Sequence, residues 1–287
     1  MEAGQAVPPR FDAHTQAGFS GHDNKERRRN MSTALITGAS NGIGLELARR
    51  LAADGHDVIL VARSVDKLQA LADELGGRHG IRAEVIGQDL GYEGAAQELV
   101  DKLGDRRVDM LINNAGFGEF GTFIEADIKR LNQMIQLNVA TLTALAHAFG
   151  RRMAAQGGGQ ILNVASIAAF MPGPGAAVYY ASKAYVLSFS DALDFELRGK
   201  NVRVTTLCPG PTDTGFATAA NAEGSAAFRW PLLASLDSLA DYAYDSLKAK
   251  RGISVHRWLI KLMAFSVRLS PRFLANYISA RSIGFKG

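Results

Sequence analysis

Cysteine is almost absent from this chain of 287 residues, where Cys208 is the single one. One thiol cannot form an intramolecular disulfide, so we expect a reducing, cytoplasmic setting. Cys208 ends the apolar run 204–208, which predicts a small buried hydrophobic side chain rather than a nucleophile. The composition therefore argues against a disulfide-stabilised secreted domain.

Long hydrophobic runs are also missing. No apolar segment reaches the roughly 20 residues that a membrane-spanning helix needs, and the nearest candidate, 258–269, is interrupted by Lys261 and Arg268. Residues 1–30 lack the apolar core of a secretory signal. The six histidines do not have the spacing of metal ligands, so no metal is expected.

Acidic residues are missing from the C-terminal end. After Asp245 there is no Asp or Glu, whereas nine Lys and Arg lie between 248 and 286. The rest of the chain has 23 basic and 28 acidic residues, so the net charge of +4 arises at this end. Because the body is acidic and carries no recognised nucleic-acid-binding module, we expect no nucleic-acid partner.

The C-terminal extension, residues 258–287, mixes apolar and basic residues and is predicted to be helical. An amphipathic basic helix over 258–283 can make a peripheral contact with an anionic membrane surface. The alternative is that it packs on its own domain or on a second subunit. We favour packing, because core and interface helices are commoner than membrane helices.

From Ala34, short apolar strands alternate with amphipathic helices. Strands are predicted at 33–37, 57–62, 82–87, 108–112, 160–165 and 202–207. Helices are predicted at about 42–54, 65–76, 93–104, 126–153 and 176–198. The alternation indicates βαβ units, so the predicted fold is α/β, a doubly wound (Rossmann-type) parallel sheet in a single domain over 31–257. Ligands of such sheets bind at the carboxyl ends of the strands.

The segments around this alternation are less regular. Residues 1–30 are expected to be a disordered tail, unless Met31 is the true start. Residues 212–235, rich in Ala, Gly, Ser and Thr, are expected to form a mobile loop over the substrate. A helix at 236–250 and a last strand at 252–257 are predicted before the extension.

A glycine-rich turn joins the first predicted strand to the first helix, with the sequence Thr37-Gly38-Ala39-Ser40-Asn41-Gly42-Ile43-Gly44. Glycines let a backbone approach a pyrophosphate closely, and the helix N-terminus offers N–H groups and a positive dipole end. The strand–turn–helix context that the motif requires is present. We expect dinucleotide phosphates to bind here, with the contacts Gly38, Ser40, Asn41, Gly42, Ile43 and Gly44.

The end of the second strand bears on the choice of dinucleotide. It reads Leu60-Val61-Ala62-Arg63-Ser64, without the acidic residue that binds the ribose 2′-hydroxyl of NAD. Arg63 and Ser64 suit the 2′-phosphate of NADP, since a guanidinium pairs well with phosphate oxygens. A solvated arginine at a strand end is the alternative. The residues favour NADP(H) over NAD(H).

A tyrosine and a lysine lie four residues apart in the helix predicted at 176–198, so Tyr179 and Lys183 share a face. A free tyrosine, with a pKa of about 10, is a poor base near neutrality, and a nearby ammonium lowers that pKa. Tyr180 lies three residues from Lys183, so proximity alone does not exclude it. The alternative is a surface Tyr–Lys pair without function.

Taken together, these motifs resemble the short-chain dehydrogenase/reductase family, of the classical type, over about residues 32–215. The resemblance rests on the Gly-x-x-x-Gly-x-Gly spacing, Asn113-Asn114-Ala115-Gly116, Asn138, Ser166, Tyr179-x-x-x-Lys183 and Pro209-Gly210-Pro211-Thr212. It implies hydride transfer between a nicotinamide and a carbonyl or secondary alcohol.

The resemblance also implies residue roles. It makes Tyr179 the general acid/base. Lys183 would lower the pKa of Tyr179 and would also hold the nicotinamide ribose. Ser166 would bind the substrate oxygen, and Asn138 would complete a proton relay through water beside Lys183. The further cofactor contacts that it implies are Asp89 at the adenine, Asn113, Ala115 and Gly116 along the cleft, and Pro209, Gly210 and Thr212 near the carboxamide.

The expected function is thus that of an NADP(H)-preferring oxidoreductase of a small-molecule carbonyl or alcohol. The apolar loop at 212–235 permits lipid-like, steroid-like or aromatic carbonyls. The alternative is a catalytically silent nucleotide-binding regulatory or structural protein of the same fold, which would be expected to have lost at least one of the four catalytic residues. A homodimer or homotetramer is also expected.

Overall fold

A parallel sheet determines where the sequence motifs meet. The computed structural model describes residues 32–212, 220 and 233–285, and every structural statement below concerns these residues. The predicted tail at 1–30 and most of the predicted loop at 212–235 lie outside them.

Seven strands form the described sheet: β1 Thr33–Thr37, β2 Asp57–Ala62, β3 Ala83–Gly87, β4 Met110–Asn113, β5 Gly159–Val164, β6 Val202–Cys208 and β7 Ile253–Val255. Every neighbouring pair is parallel, and the order is β3-β2-β1-β4-β5-β6-β7. The chain winds outward from β1 in one direction and from β4 in the other. The predicted doubly wound, Rossmann-type sheet is therefore confirmed, and its switch point lies between β1 and β4.

Helices connect these strands and cover the sheet. They are α1 Gly42–Ala53, α2 Val65–His79, α3 Ala95–Leu103, α4 Ile128–Ile135, α5 Leu142–Ala155, α6 Ala177–Leu197, α7 Leu236–Lys248, α8 Trp258–Leu269 and α9 Arg272–Ile283. Short 3₁₀ turns occupy Phe123–Glu125, Ile167–Phe170 and Arg198–Lys200.

Two predicted helical stretches are interrupted in the structure. The helix predicted over 126–153 is divided into α4 and α5 by a π-helical turn at Gln136–Thr141, which contains the buried Asn138. A π-helical turn, with i→i+5 hydrogen bonds, is rare, and the sequence pattern does not predict it. The helical stretch predicted over 258–283 breaks at Ser270 and Pro271, because proline lacks an N–H and disfavours helical geometry in the residue before it.

One large core lies against the sheet. On one face, Leu35 and Leu111 of the central strands pack with Leu99 of α3 and Phe149 of α5, all within 1% of complete burial. Burial of each such side chain contributes about 1.5–3 kcal/mol. The rigid sheet holds the strand ends, where the motifs lie, in fixed positions.

The extension packs on the body through one side of each helix. Ile260 and Ala264 of α8 are buried, as are Ala275 and Ser279 of α9. Ile260 joins a core cluster with Val186 and other side chains of the body. Among the described helices, none is both long enough and apolar enough to span a membrane.

Candidate active site

One cleft opens at the carboxyl ends of β1, β4, β5 and β6. Its wall includes twelve of the predicted site residues: Gly38, Asn41, Gly42, Ile43, Ala115, Gly116, Ser166, Tyr179, Lys183, Pro209, Gly210 and Thr212. The wall does not include Ser40, Gly44, Arg63, Ser64, Asp89, Asn113 or Asn138. The fold thus brings motifs from distant parts of the chain to one place.

The glycine-rich turn forms a tight cradle at the end of β1. Gly38 has φ +68° and Gly42 has φ +55°, conformations that favour glycine. A Cβ on Gly44 would lie 2.5 Å from the Gly38 carbonyl oxygen, so a larger residue does not fit. α1 then begins with no side-chain cap and no acidic residue in its first turn. Its N–H groups are left for an anion, which fits a dinucleotide pyrophosphate.

Asn114 and Thr37 hold this cradle against β4. The Asn114 side-chain amide donates to the carbonyl oxygens of Thr37 at 3.0 Å and Gly38 at 3.1 Å. The Thr37 hydroxyl accepts from the N–H groups of Asn114 at 3.0 Å and Ala115 at 3.1 Å. Neither side chain was among the predicted site residues, although polar side chains ending two adjacent strands are a signal for such a brace.

Arg63 and Ser64 follow β2 next to the cradle. Gly38 N–H donates to the Val61 carbonyl oxygen at 2.8 Å, which places the turn two residues from Arg63 along the neighbouring strand. Arg63 and Ser64 are exposed. In the described part of the chain no acidic side chain pairs with Arg63, and the Ser64 hydroxyl does not cap α2. Both groups are therefore accessible at the sheet edge where a phosphate is expected.

Asp89 and Asn113 form hydrogen bonds with other groups of the protein. Asp89 Oδ1 accepts from the Gly91 N–H at 2.9 Å, shortly after β3. The buried Asn113 amide donates to Asn163 Oδ1 at 2.9 Å, and Asn163 in turn donates to Ser190 of α6 at 2.8 Å. Asn113 thus joins two strands and a helix, while its contact with a cofactor stays a prediction.

Ser166 and Tyr179 form the polar centre of the cleft. Ser166 follows β5, and its Oγ accepts from the Ala168 N–H at 3.1 Å. Tyr179 lies in the first turn of α6, and the Ser166 hydroxyl approaches its hydroxyl closely enough to lower the pKa of Tyr179. Two hydroxyl groups are therefore positioned together where a substrate oxygen could meet both.

Burial dominates the proton affinity of this centre. It raises the pKa of Tyr179 to about 12, although the Ser166 hydroxyl offsets part of that effect. Burial also lowers the pKa of Lys183 to about 8. Lys183 Nζ lies 5.9 Å from the centre of the Tyr179 ring and donates to the Val164 carbonyl oxygen at 2.9 Å. The lowered tyrosine pKa expected from Lys183 is therefore not found, and Tyr179 is protonated at neutral pH.

Asn138 lies completely buried in the π-helical turn. Its Oδ1 accepts from the Phe117 N–H at 3.1 Å, and its Nδ2 donates to the Phe117 carbonyl oxygen at 2.9 Å and to Ser182 Oγ at 3.1 Å. A Cβ on Gly116 would lie 2.9 Å from Asn138 Oδ1 and 3.5 Å from Lys183 Nζ. The glycine lets both groups come close to the same backbone, while the proton relay stays a prediction.

Tyr180 has different surroundings from Tyr179. Its ring lies against Gly173, where a Cβ would come within 2.3 Å of it, and is edge-on to the Tyr179 ring at 6.0 Å. Burial raises its pKa. The Ser279 hydroxyl of α9 approaches closely enough to offset part of that rise, without the geometry of a full hydrogen bond. Tyr180 therefore helps to pack α9 against the body of the protein.

Apolar side chains form the wall opposite the cradle, and the sequence analysis did not identify them. They are Phe117, Phe120, Ile167, Ala168 and Ile283. The Phe120 ring lies 6.0 Å from that of Tyr179. Ile283 comes from α9, about a hundred residues further along the chain, so only tertiary packing brings it here.

Residues 209–212, which follow β6, also line the cleft. The Ile167 N–H donates to the Pro209 carbonyl oxygen at 2.8 Å, and the Thr212 hydroxyl donates to the Gly210 carbonyl oxygen at 3.0 Å. Cys208 is fully buried, and burial raises the pKa of its thiol to about 12. Within the described residues, no group of His, Cys, Asp and Glu side chains could hold a metal ion.

Comparisons with known proteins point to one protein family. The family model described as short chain dehydrogenase matches residues 32–224. Sulfoacetaldehyde reductase 2 of Chromohalobacter salexigens is 38% identical over 186 residues, 63% of this chain and 73% of that protein. A short-chain dehydrogenase from Sphingobium yanoikuyae, solved in complex with NADPH, is 32% identical with a TM-score of 0.75, covering 83% of this chain and 94% of that one.

A second solved structure has a similar likeness. The bulky-bulky ketone specific alcohol dehydrogenase from Comamonas testosteroni is 31% identical with a TM-score of 0.72, covering 84% of this chain and 93% of that one. The chain therefore belongs to the short-chain dehydrogenase/reductase family of nicotinamide-dependent oxidoreductases.

Proposed function

We propose that this protein reduces the carbonyl group of an uncharged, apolar ketone or aldehyde, with NADP(H) preferred to NAD(H). The observation that carries the proposal is the proximity of the Tyr179 and Ser166 hydroxyls, in a cleft that also contains the phosphate cradle and Lys183. A catalytically silent protein would have no need of this arrangement.

The polar centre supplies the proton chemistry. A bound nicotinamide supplies the hydride that the carbonyl carbon accepts. Tyr179 then donates its proton to the carbonyl oxygen, and the Ser166 hydroxyl donates a hydrogen bond to the same oxygen. Burial raises the pKa of Tyr179, so this proton is held at neutral pH.

The cradle and Lys183 would hold the cofactor. The free N–H groups at the start of α1 would bind its pyrophosphate, and the Lys183 ammonium would bind the hydroxyls of the nicotinamide ribose. In our proposal Asn138 keeps its predicted place in the proton relay, beside Gly116 and Lys183.

Preference for NADP(H) rests on Arg63 and Ser64. Both are exposed and unengaged by the described residues at the end of β2, where no carboxylate is present to bind a ribose 2′-hydroxyl. The NADPH complex of the Sphingobium yanoikuyae relative supports the same choice.

The substrate class rests on the charge of the cleft wall. Among the described wall residues Lys183 is the one charged side chain, and we assign it to the cofactor. No second cation in the described wall would pair with the sulfonate of sulfoacetaldehyde, whereas Phe117, Phe120 and Ile283 suit an apolar group. The name of the Comamonas testosteroni relative, which specifies bulky ketones, supports the same class.

The test is a substrate panel followed by nicotinamide absorbance. Aromatic, steroid and long-chain ketones would be compared with sulfoacetaldehyde, each with NADPH and with NADH, and Ser166→Ala would serve as the inactive control. We expect turnover of apolar ketones with NADPH, and little with sulfoacetaldehyde. Binding of NADPH without turnover of any carbonyl or alcohol would support the silent alternative and overturn the proposal.

A further inference from the structure

The outward side of α8 is an apolar stripe that has no partner among the described residues. Trp258, Leu262, Phe265 and Leu269 recur every three or four residues, which places them on one side of a helix of 3.6 residues per turn. Their exposed fractions are 71%, 56%, 60% and 74%. Since Ile260 and Ala264 are buried on the opposite side, α8 is apolar on both sides, and only the inner side has a described partner.

The outward side of α9 is also apolar. Phe273 is 75% exposed and Tyr277 is 58% exposed, while Ala275 and Ser279 are buried on the inner side. Of the nineteen large apolar side chains exposed among the described residues, ten lie on α8 and α9. We call the six residues Trp258, Leu262, Phe265, Leu269, Phe273 and Tyr277 the outer apolar surface. An apolar concentration of this kind marks a site of interaction.

The charge around the outer apolar surface has one sign. Lys261, Arg272 and Arg281 are exposed on the same two helices, and residues 246–287 contain no Asp or Glu. None of the three forms an ion pair with a described acidic side chain. The surface therefore combines apolar and aromatic side chains with positive charges that no described carboxylate neutralises.

We propose that the outer apolar surface docks this protein on an anionic lipid bilayer. Basic side chains are attracted to anionic headgroups, and Trp and Tyr are favoured at the boundary between headgroups and acyl chains. At 12 residues each, α8 and α9 are about 18 Å long, too short to cross a bilayer but suited to lie along it.

A second copy of the chain fits this surface less well. In a two-fold symmetric contact the same face meets itself, so Lys261, Arg272 and Arg281 would meet positive charges without any acidic partner from these helices. An anionic bilayer removes that repulsion. Because α9 also contributes Ile283 to the cleft wall, docking would hold the substrate cleft beside the lipid.

The test is flotation of the full chain with vesicles. Vesicles of phosphatidylcholine alone would be compared with vesicles that also contain phosphatidylserine, at low and at high salt. We expect the protein to float with the anionic vesicles at low salt, and less at high salt because salt screens the attraction. An absence of flotation with anionic vesicles at low salt overturns the proposal.

Matched variants locate the contact. The double variant Phe265→Ser/Leu269→Ser should lower the bound fraction by about tenfold or more, since it removes two large apolar contacts. Ile124→Ser is its control, because Ile124 is 87% exposed and lies elsewhere. Lys261→Glu/Arg272→Glu should abolish the preference for anionic vesicles, with Lys129→Glu as the exposed control.

Two further measurements separate the outcomes. Thermal melting of each variant shows whether it is folded, and light scattering shows its oligomeric state. If the control variants Ile124→Ser and Lys129→Glu lose flotation to the same extent, the lipid contact does not lie on the outer apolar surface. A change of oligomeric state in Phe265→Ser/Leu269→Ser, without lipid binding by the unaltered chain, assigns the surface to contact between copies instead. Because no measurement involves turnover, the outcome is independent of the proposed reductase activity.

Discussion

Replacing Tyr179 with phenylalanine removes one hydroxyl from the centre of the cleft and keeps the ring. The ring packs against Phe120 and Tyr180, and both contacts remain in the variant. The lost contact with the Ser166 hydroxyl costs at most about 1.5 kcal/mol of stability. Ser166 Oγ still accepts from the Ala168 N–H, so no buried hydroxyl is left without a partner. The variant should therefore fold.

Turnover should respond much more strongly than stability. If Tyr179 is the proton donor, its loss lowers kcat by about 10²–10⁴-fold. That loss corresponds to about 3–5 kcal/mol of transition-state stabilisation, several times the expected change in stability. The affinity for NADPH should change little, because Tyr179→Phe leaves the cradle and Lys183 intact.

Tyr180→Phe is the matched control, since it removes the same group from the neighbouring residue. The Tyr180 hydroxyl faces Ser279 of α9 rather than Ser166. We expect a kcat within about twofold of the unaltered enzyme, and a loss of at most about 1 kcal/mol in the free energy of unfolding.

The assay is kcat at saturating NADPH with an apolar ketone, together with NADPH affinity from fluorescence titration and a thermal melt. A large loss in Tyr180→Phe with little in Tyr179→Phe would show that the assignment is displaced by one residue. Near-normal turnover in both variants would refute the tyrosine mechanism.

Three further outcomes test the cofactor site. Arg63→Asp should weaken NADPH binding by about 10–100-fold in a fluorescence titration, since hydrogen bonds to charged groups contribute about 1.5–3 kcal/mol. NADH binding should be kept. Equal affinities for the two cofactors in the unaltered protein would contradict the preference. Because the pKa of Lys183 is about 8, its ammonium is present below that pH and is lost above it. The affinity of the free enzyme for NADPH should therefore fall as the pH rises through about 8. A Lys183→Met variant that keeps this dependence would contradict the role of Lys183 in cofactor binding. Gly44→Ala should lower stability by about 1–3 kcal/mol in a denaturant titration, as overpacking typically does, because its Cβ would meet the Gly38 carbonyl oxygen. Gly77→Ala, whose Cβ would meet nothing within 4 Å, is the control and should raise stability slightly.

Much of the fold follows from local sequence. The strands predicted at 33–37 and 57–62 have the observed bounds, because continuous apolar runs between glycine-rich turns and amphipathic helices leave few other structures open. The motifs fall at strand ends for the same reason, so the sequence predicts that Gly38, Ser166 and Pro209 meet at one edge. In the structure these three residues line one cleft.

Other features depend on contacts that no local pattern encodes. The sequence predicts one continuous helix through Asn138, whereas the structure has a π-helical turn there. The buried Asn138 side chain is hydrogen-bonded to Phe117, twenty-one residues earlier. The pKa of Tyr179 is likewise a property of the packed cleft. The sequence places a lysine on the same helix face, whereas in the structure burial is the largest influence on the phenol and raises its pKa.

By itself, the sequence determined the sheet, the order of its motifs and the edge at which they gather, because strand alternation and glycine spacing act over a few residues. Tertiary structure alone decided which side of α8 faces the body, how Tyr180 differs from Tyr179, and that Ile283 reaches the cleft. These features arise when segments distant in the chain exclude water from one another, and burial then sets their contacts and their proton affinities.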